Sequence, residues 1–180
     1  MEQLLERTKS ESGGRYGRSI DRLNAALGAE ISSTLQYIYL HTIFEDAGYE
    51  HLASIMRSIS IQEMHHIEEI AERILFLEGE VNMNPSFATR RIKDVREAFE
   101  FAAKLEQSTI DSYNEYARMC AEENDAVSQT LFQEMSAEEE RHLDIFRTEV
   151  QNIVDYGSQY LMMQSAAHSK NVAKKNKSHE

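Results

Sequence analysis

The chain has one cysteine, one proline, no tryptophan and seven glycines in 180 residues. A single thiol, Cys120, excludes an internal disulfide and any four-cysteine metal site within the chain. So few glycines and prolines leave too little turn chemistry for the many reversals of an all-β fold. Positive charge is also scarce, with 19 Lys and Arg against 31 Asp and Glu and a net charge of −12. Such a surface repels a phosphate backbone and attracts cations, so no nucleic-acid partner is expected. No apolar run approaches the roughly 20 residues of a membrane span. The N-terminus, Met1-Glu-Gln-Leu-Leu-Glu-Arg, has no apolar core of signal-peptide length. These absences point to one soluble, cytoplasmic domain, long enough to bury a core without staples.

What is present is helical periodicity. Residues 1–15 read as a loose polar lead-in, 16–166 as the folded domain and 167–180 as a disordered basic tail. A first helix is expected from about Ser19 to Glu45, with an inward stripe of Ile20, Leu23, Leu27, Glu30, Thr34, Tyr37 and His41. Asp46-Ala-Gly48 breaks it. A second helix should run from about Tyr49 to Glu78, with Gly79 as its stop. Its stripe is Leu52, Met56, Ile59, Glu63, His66, Ile70, Ile74 and Leu77. Residues 80–93 form the one long connection and hold Pro85. About 14 extended residues reach about 46 Å, the length of a helix of about 30 residues, so the connection can cross the whole domain. Asp94-x-x-Glu97 then caps a third helix to about Glu123, with Val95, Phe99, Ala102, Glu106, Tyr113 and Cys120 inward. Asn124-Asp125 turns the chain into a fourth helix, about Ala126 to Asp155. A short fifth helix is expected after Gly157. The fold class is all-α: an antiparallel four-helix bundle with one long crossover between helices two and three.

Carboxylates and imidazoles interrupt those apolar stripes at mid-helix, and they do so in a repeat. Glu63-x-x-His66 recurs as Glu139-x-x-His142, at an offset of 76 residues. Glu30 and Glu106 share that offset, as do Tyr37 and Tyr113. Apolar pairs such as Leu23/Phe99, Met56/Phe132 and Ile70/Phe146 follow it as well. A lone Glu-x-x-His is weak evidence, but the doubled spacing marks two related helical hairpins.

Glu and His three residues apart project to the same side of a helix. Four buried carboxylates and two imidazoles left uncompensated would cost several kcal/mol each. Two divalent cations cancel the four negative charges. Glu30 and Glu106 are expected as terminal ligands, His66 and His142 as one nitrogen ligand each, and Glu63 and Glu139 as bridges. Oxygen and imidazole donors suit iron or manganese better than structural zinc. Tyr37 and Tyr113, two turns along the stripe, can hydrogen-bond the Glu of the opposite half or simply fill the core. The bland reading is a bundle whose buried Glu and His only pair with one another.

With these residues placed, the chain resembles the ferritin-like di-iron superfamily. Over roughly residues 18–165 it is similar to the bacterioferritins, above all along Glu63-Met-His-His-Ile-Glu-Glu-Ile-Ala-Glu-Arg-Ile-Leu-Phe-Leu-Glu-Gly79. The resemblance implies two iron ions per subunit and a ferroxidase in which O2 or peroxide oxidises Fe(II), the ferric product being stored as mineral. It implies catalytic roles for the six ligands and Tyr37, and a hollow homo-oligomer of 24 subunits built from dimers. A protein such as a ferredoxin would supply reductant. Met64 matches the methionine that ligates a haem iron at the dimer twofold in that family. It points about 100° round the helix from Glu63, where a plain contact methionine is the alternative. Ser58 and Gln62 stand where some bacterioferritins place a His and an Asp on the inner surface, and His65 replaces a frequent Lys.

Two other functions compete. One is a rubrerythrin-like di-iron peroxidase or oxidase without its four-cysteine domain, and manganese-catalase chemistry uses a similar ligand set. The other is a non-catalytic metal-binding helical bundle. The DNA-protecting mini-ferritins fit poorly, because their ligands lie between subunits.

Overall fold

The computed structural model describes residues 16–177, with side chains described through residue 166. The described residues form four helices: α1 (Gly17–Asp46), α2 (Glu50–Phe76), α3 (Val95–Glu122) and α4 (Ala126–Lys177). The lead-in expected at 1–15 lies outside the described residues.

Local chemistry sets the boundaries. α1 ends at the turn through Gly48, whose φ of 78° favours a residue without a Cβ. At the end of α2 the left-handed residue is Glu78 (φ 61°), not the expected Gly79. Gly79 is required for packing instead: a Cβ there would meet Ile20 Cγ2 at 2.8 Å and Ile74 Cγ2 at 3.0 Å. Asp94 caps α3 by accepting from Glu97 N at 2.8 Å. Asp125 does the same for α4, accepting from Ser128 N at 3.2 Å.

α1 packs closely on α2, and α3 on α4, while contacts between the two hairpins are sparser. The hairpins meet antiparallel. Arg22 at the start of α1 forks onto Glu123 beyond the end of α3 (2.9 and 2.8 Å). Arg73 near the end of α2 reaches Asp125 at the start of α4 (2.6 Å).

The crossover runs as an extended strap along α1. Asn24, Gly28, Ser32 and Gln36, one every four residues, form its track. Asn24 donates to Glu80 O (2.9 Å), and Gly28 O accepts from Ser86 N (2.9 Å). Ser32 Oγ accepts from Phe87 N (3.1 Å), and Gln36 Oε1 accepts from Arg90 N (2.7 Å). Gly28 lets the strap lie this close, since a Cβ would stand 2.6 Å from Ser86 Oγ and 3.0 Å from Asn84 O.

Beyond residue 155 the helical run is interrupted once, at Gly157. The φ of 52° and ψ of −131° there are non-helical, so the span of α4 comprises two helices that meet at a kink, the second beginning where a fifth helix was expected. The backbone is also helical to Lys177, where a disordered tail was expected from 167. Ala and Lys dominate 166–177, and both favour helix. Tyr160 and Leu161, past the kink, fold back onto the core.

That core comes in two parts. One cluster gathers Leu40, Phe44, Leu52, Met56, Phe99 and Phe146, and the other Leu23, Leu27, Ile70, Ile74, Phe132 and Met135. Between them lies a buried polar layer. Full burial of each large apolar side chain contributes roughly 1.5–3 kcal/mol, so the flanking clusters can offset the cost of holding ionisable groups in the middle.

Candidate metal centre

Each helix delivers its part of that layer from mid-length: Glu30 from α1, Glu63 and His66 from α2, Glu106 from α3, Glu139 and His142 from α4. All six are buried, none more than 3% exposed. The three-residue spacing brings each imidazole against its own glutamate, His66 Nδ1 at 3.1 Å from Glu63 Oε2 and His142 Nδ1 at 3.0 Å from Glu139 Oε2. The antiparallel meeting of hairpins then brings each imidazole against the opposite one: His66 Nδ1 lies 3.1 Å from Glu139 Oε1, and His142 Nδ1 3.1 Å from Glu63 Oε1.

The donors sort into two overlapping sets, Glu30–Glu63–His66–Glu139 and Glu63–Glu106–Glu139–His142, each with one donor atom per residue within 4.8 Å of the others. Glu63 and Glu139 belong to both sets, and Glu30 and Glu106 to one each. The sequence-predicted six therefore converge, with Glu63 and Glu139 common to both sets.

The chemistry of the layer fits cations. An Nδ1 carries at most one proton, yet each faces two carboxylates near 3 Å. Glu63 Oε1 and Glu139 Oε1 are fully buried yet accept no hydrogen bond, since the one imidazole Nδ1 near each is already directed at another carboxylate oxygen. An orphaned buried acceptor costs about 1–3 kcal/mol, more when charged, and a cation shared by the two glutamates removes that cost.

Protonation tells the same story. Burial pushes Glu63 well above the usual carboxylate range, and Glu30 and Glu139 beside it push further. Burial does the same to Glu106, reinforced by Glu63 and Glu139. Burial also opposes charge on Glu139, but its contacts with His142, His66 and Glu106 outweigh it and bring that group down to about 2. Burial disfavours an imidazolium at His66, yet contacts with Glu139, Glu30 and Glu63 hold its proton well above the ordinary range. Without metal, the layer neutralises itself with protons.

Tyr37 donates to Glu106 Oε1 at 2.5 Å, and Tyr113 donates to Glu30 in the mirrored contact. Both hydroxyls are thus tied across the hairpins, and their own ionisation is suppressed, first by burial and then by the adjacent carboxylates. A second pair of partners escaped the sequence reading. His66 Nε2 meets Glu138 Oε2 at 3.1 Å, and His142 Nε2 meets Gln62 Oε1 at 3.2 Å. The signal was available: Gln62 and Glu138 each directly precede a ligand glutamate at the same 76-residue offset.

Met64 is not brought to this layer. It is 43% exposed on the outer side of α2, and Leu35, Ile38 and Ile61 are similarly exposed on α1 and α2. Ser58 and Gln62 are exposed, and His65 pairs with Glu68 at 3.5 Å. No helix among the described residues is long and apolar enough to cross a membrane.

The family model of the ferritin-like domain matches residues 20–155. A bacterioferritin of Brucella melitensis is 36% identical over 140 residues, covering 78% of this chain and 87% of the relative. That of Desulfovibrio desulfuricans is 33% identical over 147 residues, 82% of each. Among solved structures, Rhodobacter capsulatus bacterioferritin, described with a metal-free dinuclear site and a haem iron in a crystallographic special position, superposes with a TM-score of 0.79. It is 33% identical and covers 82% of this chain and 92% of its own. The Desulfovibrio desulfuricans structure, which records a diiron site in different catalytic states, gives a TM-score of 0.83 at 31% identity, covering 87% and 91%.

Proposed function

The chain belongs to the bacterioferritins of the ferritin-like family, and we propose on that footing that it is an iron-storing ferroxidase. It takes Fe(II) as substrate, oxidises it to Fe(III) with O2 or peroxide, and deposits the product as mineral inside a shell. The observation that carries this is the pair of overlapping donor sets at mid-bundle, joined by two glutamates that each keep an orphaned oxygen.

Glu30 and His66 would hold one iron and Glu106 and His142 the other, with Glu63 and Glu139 shared. A bound iron pair supplies the two electrons that the oxidant takes up. The protein's own groups do the rest. Four carboxylates match the charge of two divalent cations, so loading exchanges protons for metal inside a dry layer. Each imidazole must offer Nδ1 bare, which places its proton on Nε2, where Glu138 or Gln62 accepts it. Tyr37 and Tyr113 fix the orientation of the terminal carboxylates. The two apolar clusters keep bulk water from the layer, which strengthens every electrostatic contact within it.

Assembly follows from family membership: a homo-oligomer, proposed as 24 subunits from twofold dimers, in the cytoplasm. Half-exposed apolar groups on α1 and α2 suit a dimer face. Met64 among them is proposed as a haem ligand, one sulfur from each of two subunits, with a ferredoxin-like protein as reductant.

The test combines mass, metal content and turnover. A large shell that takes up far more iron than two per subunit, and loses rapid Fe(II) oxidation in Glu63→Ala/His142→Ala, is the expected result. A small oligomer that consumes peroxide without accumulating mineral would favour the rubrerythrin-like reading. An oxidation rate unchanged in the double variant would leave only a metal-binding bundle.

A further inference from the structure

The repeat relates α1 to α3 and α2 to α4, and every group in the cation layer has its counterpart. Glu30 answers to Glu106, Tyr37 to Tyr113, Glu63 to Glu139 and His66 to His142. Among the side chains that hydrogen-bond this layer, the symmetry fails at one pair. Glu138 Oε2 faces the outer nitrogen of His66 at 3.1 Å, and Gln62 Oε1 faces the outer nitrogen of His142 at 3.2 Å. One imidazole is backed by a carboxylate, the other by an amide.

We propose that this exchange makes the two cation positions unequal, so that the position at Glu30 and His66 binds a divalent metal more tightly than the position at Glu106 and His142. The inference rests on the di-metal reading of the layer and assigns Glu138 and Gln62 as positioning residues for it.

The argument is one of hydrogen-bond chemistry. A His that gives Nδ1 to a metal keeps its hydrogen on Nε2, and the acceptor of that hydrogen sets both ring orientation and donor strength. A carboxylate forms a charge-assisted bond, about twice as strong as a neutral one, and draws the imidazole's proton outward, leaving more electron density at Nδ1. An amide oxygen does this weakly. It must also hold one of two orientations, because its NH2 end turned toward Nε2–H would repel it. Glu138 further brings a negative charge to its own side of the layer.

Two features limit the size of the effect. The Glu138 side chain is 41% exposed, and its Oε1 is held by Arg141 at 3.1 Å. That ion pair orients the carboxylate while drawing off part of its charge. Loss of such an outer partner costs about 10–100-fold in metal affinity. Water screening places this pair at the lower end, about tenfold.

Two cations bound side by side also affect each other, so the comparison is made one position at a time, in assembled protein under anaerobic conditions, with Co(II) as probe. Calorimetry gives the affinity, and the visible ligand-field bands report the coordination. His142→Ala retains the His66 position and His66→Ala retains the His142 position. Expected is about tenfold tighter Co(II) binding in His142→Ala. Adding Glu138→Gln to His142→Ala should weaken binding about tenfold, and adding Gln62→Glu to His66→Ala should strengthen it by a similar factor. Gln62→Glu added to His142→Ala, where its imidazole is gone, should change nothing. Equal affinities in the two single variants, or affinities indifferent to residues 62 and 138, would overturn the inequality while leaving a di-metal site. No Co(II) binding in the unsubstituted protein would instead overturn the di-metal reading, and this inference with it.

Discussion

Tyr37 of α1 donates its hydroxyl to Glu106 of α3 at 2.5 Å, and Tyr113 of α3 donates to Glu30 of α1, so each hairpin holds the other's terminal glutamate. Both rings are buried in the core, Tyr37 against Phe146 and Tyr113 against Phe132 (centroids 5.4 and 5.5 Å apart). Tyr37→Phe or Tyr113→Phe should keep the packing and strand one buried carboxylate. The expected cost is about 1–3 kcal/mol in metal-free protein, read by chemical denaturation, with slower Fe(II) oxidation. A fully retained oxidation rate in both variants would remove the tyrosines from the working site.

Metal-free stability should fall as pH rises. Glu63 and Glu106 titrate above the ordinary carboxylate value of 4.5 when folded, so above that pH the folded state binds protons the unfolded chain has released. His66, raised from 6.5, acts in the same sense: its contribution is complete below 6.5 and is lost as pH climbs toward its folded value. Glu139, lowered to about 2, contributes stability that is lost only as pH drops from 4.5 toward 2, outside this window. A divalent metal that displaces the protons should therefore raise Tm more at pH 8 than at pH 5, and Glu63→Gln should stabilise the metal-free protein most at pH 8. Calorimetric scans at both pH values check this, and a metal-induced shift that shrinks with pH would contradict it.

The strap along α1 makes a third expectation. Gly28→Ala places a Cβ against Ser86 Oγ and Asn84 O, and should cost about 1–3 kcal/mol. Ser86→Ala in the same chain removes the nearer clash and should recover part of the loss in a double-mutant cycle. Full additivity of the two changes would mean that the strap had already moved away.

Met64→Leu tests the haem assignment by a spectrum. The haem absorption band of purified protein should disappear in the variant. A band that survives would take Met64 out of the haem site.

The converging cluster of Glu and His was legible because duplication wrote it twice: an offset shared by Glu30/Glu106, Tyr37/Tyr113 and both Glu-x-x-His motifs needs no coordinates to be seen. Helix limits followed from Gly48, Asp94 and Asn124-Asp125, whose turn and cap chemistry is local. What stayed hidden depends on neighbours distant in sequence. Glu78 takes the left-handed turn because Gly79 is needed where Ile20 and Ile74 close in, and no local pattern distinguishes the two. The polar track of Asn24, Gly28, Ser32 and Gln36 acquires its role only from the strap that lies on it, a partner more than fifty residues away in sequence. Glu138 was passed over because a glutamate beside a ligand on an acidic helix resembles ordinary surface.

The layer of acids and imidazoles sits on the seam between the hairpins, where packing is thinner than within either one. Each donor set takes three residues from one side of that seam and one from the other. Any breathing of one hairpin against the other therefore loosens both positions together, so that admitting a cation and weakening the grip on it are one motion.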